Sequence, residues 1–304
     1  LARQVLQELY RTGVRDVIFC AGARNAPLIM QLEKTLGFKL WSFFEERSAG
    51  FFALGRARAT QRPVAVITTS GTAVAELLPA TVEAFYSGVP LVLLTADRPK
   101  RLRGTGAPQS IVQPGIFSHY VAKTFDLENE PLNLSLADLE SSRPVHVNIC
   151  FDEPLLDGPI EPLDLVSPAE EFSVAVDFVK QKKIPAKTIV DSLQDFFNGS
   201  KSPVVIVGTL SSAVERAACK QILLSLKLPV YLEGTSGLRE DPDLNPFAIK
   251  SGDRLLSLGL HKRLYDGVLR LGGVPTVRVW RDLDNANCPV SVLSIHHLEF
   301  AGLG

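Results

Sequence analysis

Three short segments place small, acidic or basic residues directly after apolar stretches. They are CAGAR at 20–24, FFEER at 43–47 and TTSGT at 68–72. An arginine can hold a carboxylate through two parallel hydrogen bonds, and a glycine lets a ligand approach the backbone closely. A glutamate against apolar walls can stay protonated and donate a hydrogen bond at neutral pH. These residue types are therefore suited to binding an anionic small molecule and to moving a proton.

Each segment also has a purely structural interpretation. Gly22 could make a turn while Arg24 pairs with a neighbouring acid. Glu45 and Glu46 could both cap the helix that follows, where negative charge is favourable. Since adjacent strand residues point to opposite faces, only one of the two can enter a given pocket. The third segment is expected to cap a helix, and ligand binding through its backbone N–H groups would be additional.

Apolar strands alternate with helical periods along residues 1–155. We predict strands at 14–20, 40–44, 63–69, 90–95 and 145–151, and helices at 1–12, 27–36, 47–58 and 73–85. Near-continuous apolar strands separated by helices are typical of a parallel sheet covered on both faces. In such sheets ligands bind beyond the carboxyl ends of the strands, which is where the three segments fall.

A second α/β unit is predicted after a break in this pattern. Residues 156–187 are rich in Pro, Asp, Glu and Lys, and we interpret them as an interdomain linker. The alternation then resumes, with helices at 188–198, 212–226 and 276–280 and strands at 203–208, 228–232, 267–271 and 290–295. The predicted fold class is therefore α/β, with two three-layer domains whose mainly parallel sheets carry helices on both faces.

Composition and charge limit the kinds of binding partner and the cellular compartment that we expect. The chain has 32 basic and 33 acidic residues, a net charge of -1, which gives no electrostatic reason to expect nucleic acid. No apolar run approaches the roughly 20 residues that cross a bilayer, so no membrane partner is expected. Four scattered cysteines without C-x-x-C spacing favour a reducing cytoplasm over zinc binding or a disulfide framework. His296 and His297 adjoin Glu299, but neighbouring strand residues face opposite ways, and no metal site is predicted.

Five segments resemble one enzyme family in their order and spacing. They are GAR at 22–24, FEER at 44–47, PVAVITTSGTAVA at 63–75, LTADRP at 94–99 and QPG at 113–115. The family is that of the thiamine-diphosphate-dependent 2-succinyl-5-enolpyruvyl-6-hydroxy-3-cyclohexene-1-carboxylate (SEPHCHC) synthases, carboligases of menaquinone biosynthesis. The resemblance implies a pyrimidine-binding domain at 1–155, which holds the aminopyrimidine of thiamine diphosphate, and a Rossmann-like central domain at 188–304.

The resemblance also assigns roles to individual residues. Glu46 falls on the family's catalytic glutamate, which hydrogen bonds N1′ of the aminopyrimidine and relays a proton when the cofactor is activated. The other assigned residues contact either the cofactor or the substrates. The expected cofactor contacts are Gly22, Ser70, Gly71 and Thr72, and the expected substrate contacts are Arg24, Arg98, Gln109 and Arg278.

The reaction that the resemblance implies joins decarboxylated 2-oxoglutarate to isochorismate. The family holds the cofactor diphosphate through Mg²⁺ in a third domain, by a Gly-Asp-Gly segment followed by an asparagine, and no such segment occurs in these 304 residues. The Mg²⁺ ligands are therefore expected in a diphosphate-binding domain outside this chain, which alone is expected to be inactive. A homodimer or homotetramer is expected, because Glu46 would reach a cofactor held by another subunit.

Four positions depart from the family pattern. Ala23 stands where the family has serine, Pro108 where it has asparagine, Val112 where it has arginine and Val277 where it has lysine. Each change removes a donor aimed at an anionic ligand. Two alternatives therefore stay open, a degenerate binding or regulatory paralogue without catalysis and a related carboligase that acts on pyruvate.

Overall fold

The chain forms two compact units, Leu1–Lys180 and Gln181–Gly304. The structure, a computed structural model, describes residues 1–135, 138–139, 143–165, 185–284, 288–296 and 302–303. Each unit contains its own parallel sheet with helices against it. This confirms the predicted α/β fold class.

Six parallel strands form the sheet in the described part of the first unit. The strands are β1 (Asp16–Cys20), β2 (Lys39–Phe43), β3 (Val64–Thr68), β4 (Leu91–Asp97), β5 (Lys123–Leu127) and β6 (Val145–Cys150). Their order across the sheet is β2-β1-β3-β4-β6-β5, and every pairing is parallel. All six carboxyl ends therefore lie at one edge of the sheet.

Helices cover both faces of this sheet. They are α1 (Ala2–Arg11), α2 (Ala26–Lys34), α3 (Glu46–Thr60), α4 (Thr72–Ala75) and α5 (Leu78–Ser87). Apolar residues of α1 and α2, such as Leu6 and Leu32, pack in one core cluster with Val17 and Ile67 of the strands. Residues of α3 and α5 pack in the cluster on the opposite face. The central strands β3 and β4 are buried along their whole length, because both of their faces are covered.

One local prediction for this unit was wrong, and one strand was missed. The helix predicted at 73–85 is divided into α4 and α5, because Pro79 lacks a backbone N–H and is accommodated in the first turn of a new helix. The strand β5 was not predicted. It is an edge strand with an exposed Lys123 and a half-buried Asp126, so its sequence lacks the apolar run that marked the other strands.

The first part of the predicted linker lies against the first unit. The carbonyl oxygen of Glu161 accepts hydrogen bonds from Arg3 Nη1 at 2.7 Å and Gln31 Nε2 at 2.8 Å, and Leu163 packs on the core. Residues 166–184 lie outside the described residues. The linker at 156–187 and the domain limits derived from it therefore stay predictions.

The second unit repeats the three-layer arrangement on a smaller scale. Its described strands are β7 (Pro203–Val207), β8 (Val230–Leu232), β9 (Gly267–Leu271) and β10 (Ser291–Ile295), and its described helices are α6 (Ala186–Gly199), α7 (Ala213–Leu226), α8 (Gly252–His261) and α9 (Arg278–Asp282). The strands are parallel in the order β10-β9-β7-β8. The helix α8 was not predicted, and α9 begins two residues later than expected.

A partly buried ion pair between Asp16 and Arg56 connects strand β1 to helix α3. Asp16, at the start of β1, accepts hydrogen bonds from Trp41 Nε1 at 2.8 Å and from Arg56 Nη2 at 2.8 Å and Nε at 3.1 Å. Only 7% of the Asp16 surface is exposed. The carboxylate therefore joins β1, β2 and α3.

We expect Asp16→Ala to lower the free energy of unfolding of the first unit by about 2 to 4 kcal/mol, because it leaves three N–H donors of Trp41 and Arg56 without their acceptor. Urea unfolding followed by Trp41 fluorescence in a Trp280→Phe background measures this loss. Asp152→Ala breaks an exposed ion pair with Arg101 and is the control, with little change expected. Equal losses in the two variants would show that burial adds nothing to the Asp16 interaction.

Candidate active site

Four adjacent strand ends carry the predicted site residues of the first unit. Gly22 and Arg24 follow β1, Glu46 follows β2, the turn at 70–72 follows β3 and Arg98 follows β4. Because these strands are neighbours and parallel, their carboxyl ends share one edge. The structure thus brings these residues to the same edge of the sheet.

The two adjacent glutamates have different surroundings. Glu45 is the N-cap of α3, and its carboxylate accepts hydrogen bonds from the backbone N–H groups of Arg47 at 3.2 Å and Ser48 at 2.7 Å, and from the Ser48 hydroxyl. These bonds, led by that of the Ser48 side chain, lower the pKa of Glu45 below its ordinary value. The half-buried Glu46 side chain makes no hydrogen bond or ion pair with another described residue. Helix capping therefore accounts for Glu45 alone, and the Glu46 carboxyl group is free to meet a ligand.

The Glu46 carboxyl group lies near the end of β1. Burial, and then the negative charges of Glu46 and Glu45, raise the pKa of the Cys20 thiol to about 12. Cys20 is the last residue of β1 and is paired with Phe43 of β2. A thiol with so high a pKa stays protonated, so Cys20 is a packing residue here and not a nucleophile.

The turn after β1 is held by one buried asparagine. The Asn25 side chain accepts a hydrogen bond from the Gly22 N–H at 2.9 Å and donates one to the Cys20 carbonyl at 2.8 Å. A Cβ on Gly22 would lie only 2.5 Å from the Cβ of Thr69. The turns after β1 and β3 therefore pack backbone against side chain, which requires glycine at position 22.

Arg24 is 8% exposed and already has two partners. Its Nη1 donates to the Phe151 carbonyl at 3.0 Å, and its Nη2 lies 3.1 Å from a carboxylate oxygen of Glu153. Pairing with a neighbouring acid, the structural alternative for this residue, therefore does occur. Glu153 itself is largely exposed, so a competing carboxylate could replace it.

The turn after β3 is shaped by two glutamines. Gln109 Nε2 donates to the Ser70 carbonyl at 2.9 Å, and Gln113 Oε1 accepts from the Gly71 N–H at 2.9 Å. Gly71 has a φ of +82°, and a Cβ there would lie 2.8 Å from the side chain of Gln109. Because the Gly71 N–H already donates inwards, a ligand would meet this turn through its other groups. The Thr68 hydroxyl at the same edge is buried and has no partner among the described residues.

Arg98 is held at the end of β4 by the backbone around it. Its N–H donates to Asp97 Oδ1 at 2.8 Å, and its Nε donates to the Pro108 carbonyl at 2.6 Å. The family asparagine replaced by Pro108 is therefore not needed to anchor this arginine, since a carbonyl group does so. The two terminal guanidinium nitrogens of Arg98 make no hydrogen bond with another described residue.

A layer of buried polar side chains lies behind the site, and the sequence analysis missed it. The side chains that share it are Thr95, Asp97, Gln113, His146 and Asn148, all fully buried. The available signal was the period-2 spacing of polar residues within two apolar strands, which places them on one face of β4 and β6. Arg103 completes the layer by binding Asp97 at 3.0 Å and Asp126 at 2.7 Å.

Arg278, the predicted substrate residue of the second unit, is exposed at the start of α9. Its N–H donates to Asp253 Oδ1 at 2.8 Å. Two residues earlier, Thr276 donates through its N–H at 2.6 Å and its hydroxyl at 2.8 Å to the buried Glu233. Two carboxylates therefore fix the backbone from which the Arg278 side chain extends.

The described residues contain no group of three His, Cys, Asp or Glu side chains placed to hold a metal ion. His297 lies outside the described residues, and the absence of a metal site at His296 and His297 stays a prediction. No helix in the described part of the chain is long and apolar enough to span a membrane.

The hydrogen bonds of the polar layer define the protonation of His146. Asn148 Oδ1 accepts from Gln113 Nε2 at 2.7 Å and from the Thr95 hydroxyl at 2.9 Å, so Thr95 must accept from His146 Nε2, 2.8 Å away. Burial lowers the pKa of His146 to about 4. The imidazole is therefore neutral, with its proton on Nε2.

This protonation state predicts a specific pH dependence of stability. The pKa of His146 is lower in the folded protein than the ordinary 6.5, so its stabilising contribution is complete above pH 6.5 and is lost as the pH falls towards 4. Between about pH 7.5 and pH 4.5 the first unit should lose roughly 2 kcal/mol more than a His146→Gln variant does. Unfolding titrations at both pH values test this, and parallel losses in the two proteins would contradict it.

Comparison with known proteins matches both the domain and the whole chain. The model of the thiamine pyrophosphate enzyme N-terminal TPP binding domain matches residues 1–116. The 2-succinyl-5-enolpyruvyl-6-hydroxy-3-cyclohexene-1-carboxylate synthase of Bdellovibrio bacteriovorus is 48% identical over 303 residues, covering 100% of this chain and 56% of that protein. The synthase of the same name from Akkermansia muciniphila is 39% identical over 308 residues, covering 99% of this chain and 54% of that protein.

The chain spans about half the length of the curated relatives it matches. The matches confirm the resemblance seen in the sequence, and they cover both units. The chain therefore carries the N-terminal TPP binding domain of the thiamine pyrophosphate enzymes and is similar to SEPHCHC synthases along its whole length.

Proposed function

We propose that this chain is part of a thiamine-diphosphate-dependent carboligase that joins decarboxylated 2-oxoglutarate to isochorismate and so forms SEPHCHC. The product is that named for its relatives. The observation that carries the proposal is the free carboxyl group of Glu46 at the shared edge of the sheet. No structural partner among the described residues accounts for that group.

The residues at this edge fit the aminopyrimidine of thiamine diphosphate. Glu46 offers an unpaired carboxyl group, and the buried Thr68 hydroxyl is a second unpaired polar group. Gly22 and Gly71 let the two turns lie close to the side chains of Thr69 and Gln109, which a Cβ at either position would displace. When bound, the cofactor would supply the carbon that attacks the 2-oxo acid.

Within this proposal the Glu46 carboxyl group would hydrogen bond the pyrimidine ring and exchange a proton with it. Glu45 cannot take this role, since its oxygens bind the first turn of α3. The same bonds cap the first turn of α3, in which Glu46 is the first residue. Ser70, Gly71 and Thr72 would form the wall of the pocket beside the ring.

The substrates proposed here carry several carboxylates, and the arginines supply matching charge. The terminal nitrogens of Arg98 are available for a bidentate carboxylate contact. Arg24 would exchange the exposed Glu153 for a substrate carboxylate, while Gln109 lies beside the turn after β3. We also propose Arg278 as a substrate-binding residue. Ala23 and Val277 supply no donor, so fewer contacts hold the substrate than in the family pattern.

The proposal needs groups beyond those described. The Mg²⁺ that binds the cofactor diphosphate would be held by the diphosphate-binding domain of a longer chain or of a partner subunit. We propose a homo-oligomer, either dimer or tetramer, in which another subunit covers this edge. Phe44, two residues before Glu46, is fully exposed and would be covered by that subunit. A cytoplasmic location belongs to the same proposal.

The role of Glu46 is tested by replacing each glutamate in turn in the full-length protein. With thiamine diphosphate, Mg²⁺, 2-oxoglutarate and isochorismate, Glu46→Gln should lower kcat by roughly 10² to 10⁴-fold, because an amide cannot exchange the proton. Glu45→Gln keeps an acceptor for the helix cap and should change kcat by less than about threefold. An unaltered rate in Glu46→Gln would reject the assigned role.

Cofactor binding and donor preference of the wild-type protein distinguish the two alternative functions. A wild-type protein without cofactor affinity by calorimetry would be a degenerate binding or regulatory paralogue. A wild-type protein that prefers pyruvate as the donor would be a related carboligase of different specificity.

The proposed subunit contact is tested by Phe44→Ser. If another subunit covers this edge, the substitution should raise the dissociation constant of the oligomer at least about tenfold, measured by sedimentation equilibrium of the full-length protein. Leu36→Ser is the control, because Leu36 is 91% exposed and precedes the opposite end of β2. Equal dissociation constants for wild type and Phe44→Ser would place the interface elsewhere.

A further inference from the structure

Gln113 is a fully buried amide whose hydrogen bonds are all satisfied within the first unit. Its Oε1 accepts from the Gly71 N–H at 2.9 Å, and its Nε2 donates to the Ala96 carbonyl at 3.2 Å and to Asn148 Oδ1 at 2.7 Å. The donor at Gly71 and the acceptor at Ala96 fix which end of the amide is oxygen. Gln113 therefore connects the turn after β3 to the interior of the sheet in one defined orientation.

Asn148 continues this connection. It is fully buried, and its Nδ2 donates to Asp97 Oδ2 at 3.0 Å and to Asp126 Oδ1 at 2.9 Å. With the bonds that its Oδ1 accepts from Gln113 and Thr95, the side chain uses its full hydrogen-bonding capacity. Rotation of Asn148 would break four bonds, so its position is strongly fixed.

Asp97 closes the connection at the end of β4. One of its oxygens accepts from Asn148, and the other accepts from the Arg98 N–H at 2.8 Å. Arg103 also binds Asp97, at 3.0 Å, which compensates the buried charge. The orientation of Asp97 therefore sets the backbone from which the Arg98 side chain extends.

We infer that Gln113 and Asn148 are positioning residues that fix the turn at 70–72 and Arg98 relative to each other. The hydrogen-bonded path runs from the Gly71 N–H through Gln113, Asn148 and Asp97 to the Arg98 N–H. What the two ends bind, cofactor at the turn and substrate carboxylate at Arg98, rests on the proposed function. The path itself rests only on the bonds described above.

Stability alone does not require such a path. Replacing a buried polar pair by apolar groups of similar shape often leaves the free energy of unfolding nearly unchanged. A buried polar network, in contrast, is favourable only when every group in it has its partner. The path joins the two groups that must be aligned across neighbouring strands. A displaced turn would therefore displace Arg98 as well, and binding at the two ends would be coupled.

Amide hydrogen exchange tests the path without any activity. In the 304-residue chain, Gln113→Leu should speed exchange at both Gly71 and Arg98 by about tenfold or more relative to core amides of β3. Gln113→Glu keeps the acceptor for Gly71 but loses the donor to Asn148, so Arg98 should respond and Gly71 should not. Gln31→Leu removes a buried glutamine with partners remote from the site edge, Thr35 and Glu161, and should change neither ratio.

An Arg98 amide that is unaffected by both Gln113 variants would overturn the path. The Gln31 and Gln113 variants each lose a comparable buried amide group. A general loss of stability would therefore speed hydrogen exchange at Gly71 and Arg98 equally in both variants. That result would also overturn the inference, because the two glutamines would then be equivalent.

Steady-state kinetics with the full-length protein test the consequence for binding. Gln113→Leu should weaken thiamine diphosphate binding and raise the KM for the 2-oxoglutarate substrate together. The factor by which Arg98→Ala raises the KM should then be about tenfold smaller in the Gln113→Leu background than in wild type. Strictly additive effects would overturn the coupling. A protein without synthase activity would refute the proposed function, while the exchange experiment would still decide the path.

Discussion

The site depends on how the first turn of α3 is capped. A helix begins with unpaired backbone N–H groups, and Glu45 satisfies two of them with its own carboxylate. Because the neighbouring glutamate is not needed for this task, the Glu46 carboxyl group is left half-buried and unpaired among the described residues. Two residues of identical type thus acquire different chemistry from one difference in backbone position.

The parallel sheet then determines what Glu46 can act upon. Four neighbouring strands end at the same edge, so residues far apart in the sequence surround one space. Behind that edge, the buried layer around Asn148 replaces apolar packing by hydrogen bonds with defined directions. Apolar side chains can slide past each other, whereas such bonds cannot be kept if the strands shift. The layer is therefore a means of alignment, set directly behind the residues that need to be aligned.

Much of this organisation could be predicted from the sequence. Near-continuous apolar strands indicated the fold class, and segments after the strands located Gly22 and the two glutamates, since in parallel sheets such segments meet. Arg98 was identified only through the resemblance to the family. The edge strand β5 could not be found in this way, because a half-exposed strand contains Lys123 and Asp126 where an apolar run would be expected. The division of the helix at Pro79 followed from a rule of helix chemistry that the periodicity alone does not contain.

The partners of individual side chains were beyond the sequence. Nothing local shows that Arg24 meets Glu153, since the two are brought together only by the fold. The sequence also left open which of two adjacent glutamates caps the helix. Alternating polar residues in β6 did signal a buried layer, but a polar residue in a strand more often faces water, and only the pairing with β4 shows otherwise.

The role proposed for Glu46 is a hydrogen bond to N1′ of the cofactor pyrimidine. The most direct measurement compares binding of thiamine diphosphate with binding of an analogue in which N1′ is replaced by C–H, for wild type and for Glu46→Ala in the full-length protein. Glu46→Ala should weaken binding of thiamine diphosphate by about tenfold and leave binding of the analogue nearly unchanged. Equal losses for both ligands, or no loss for either, would contradict the account.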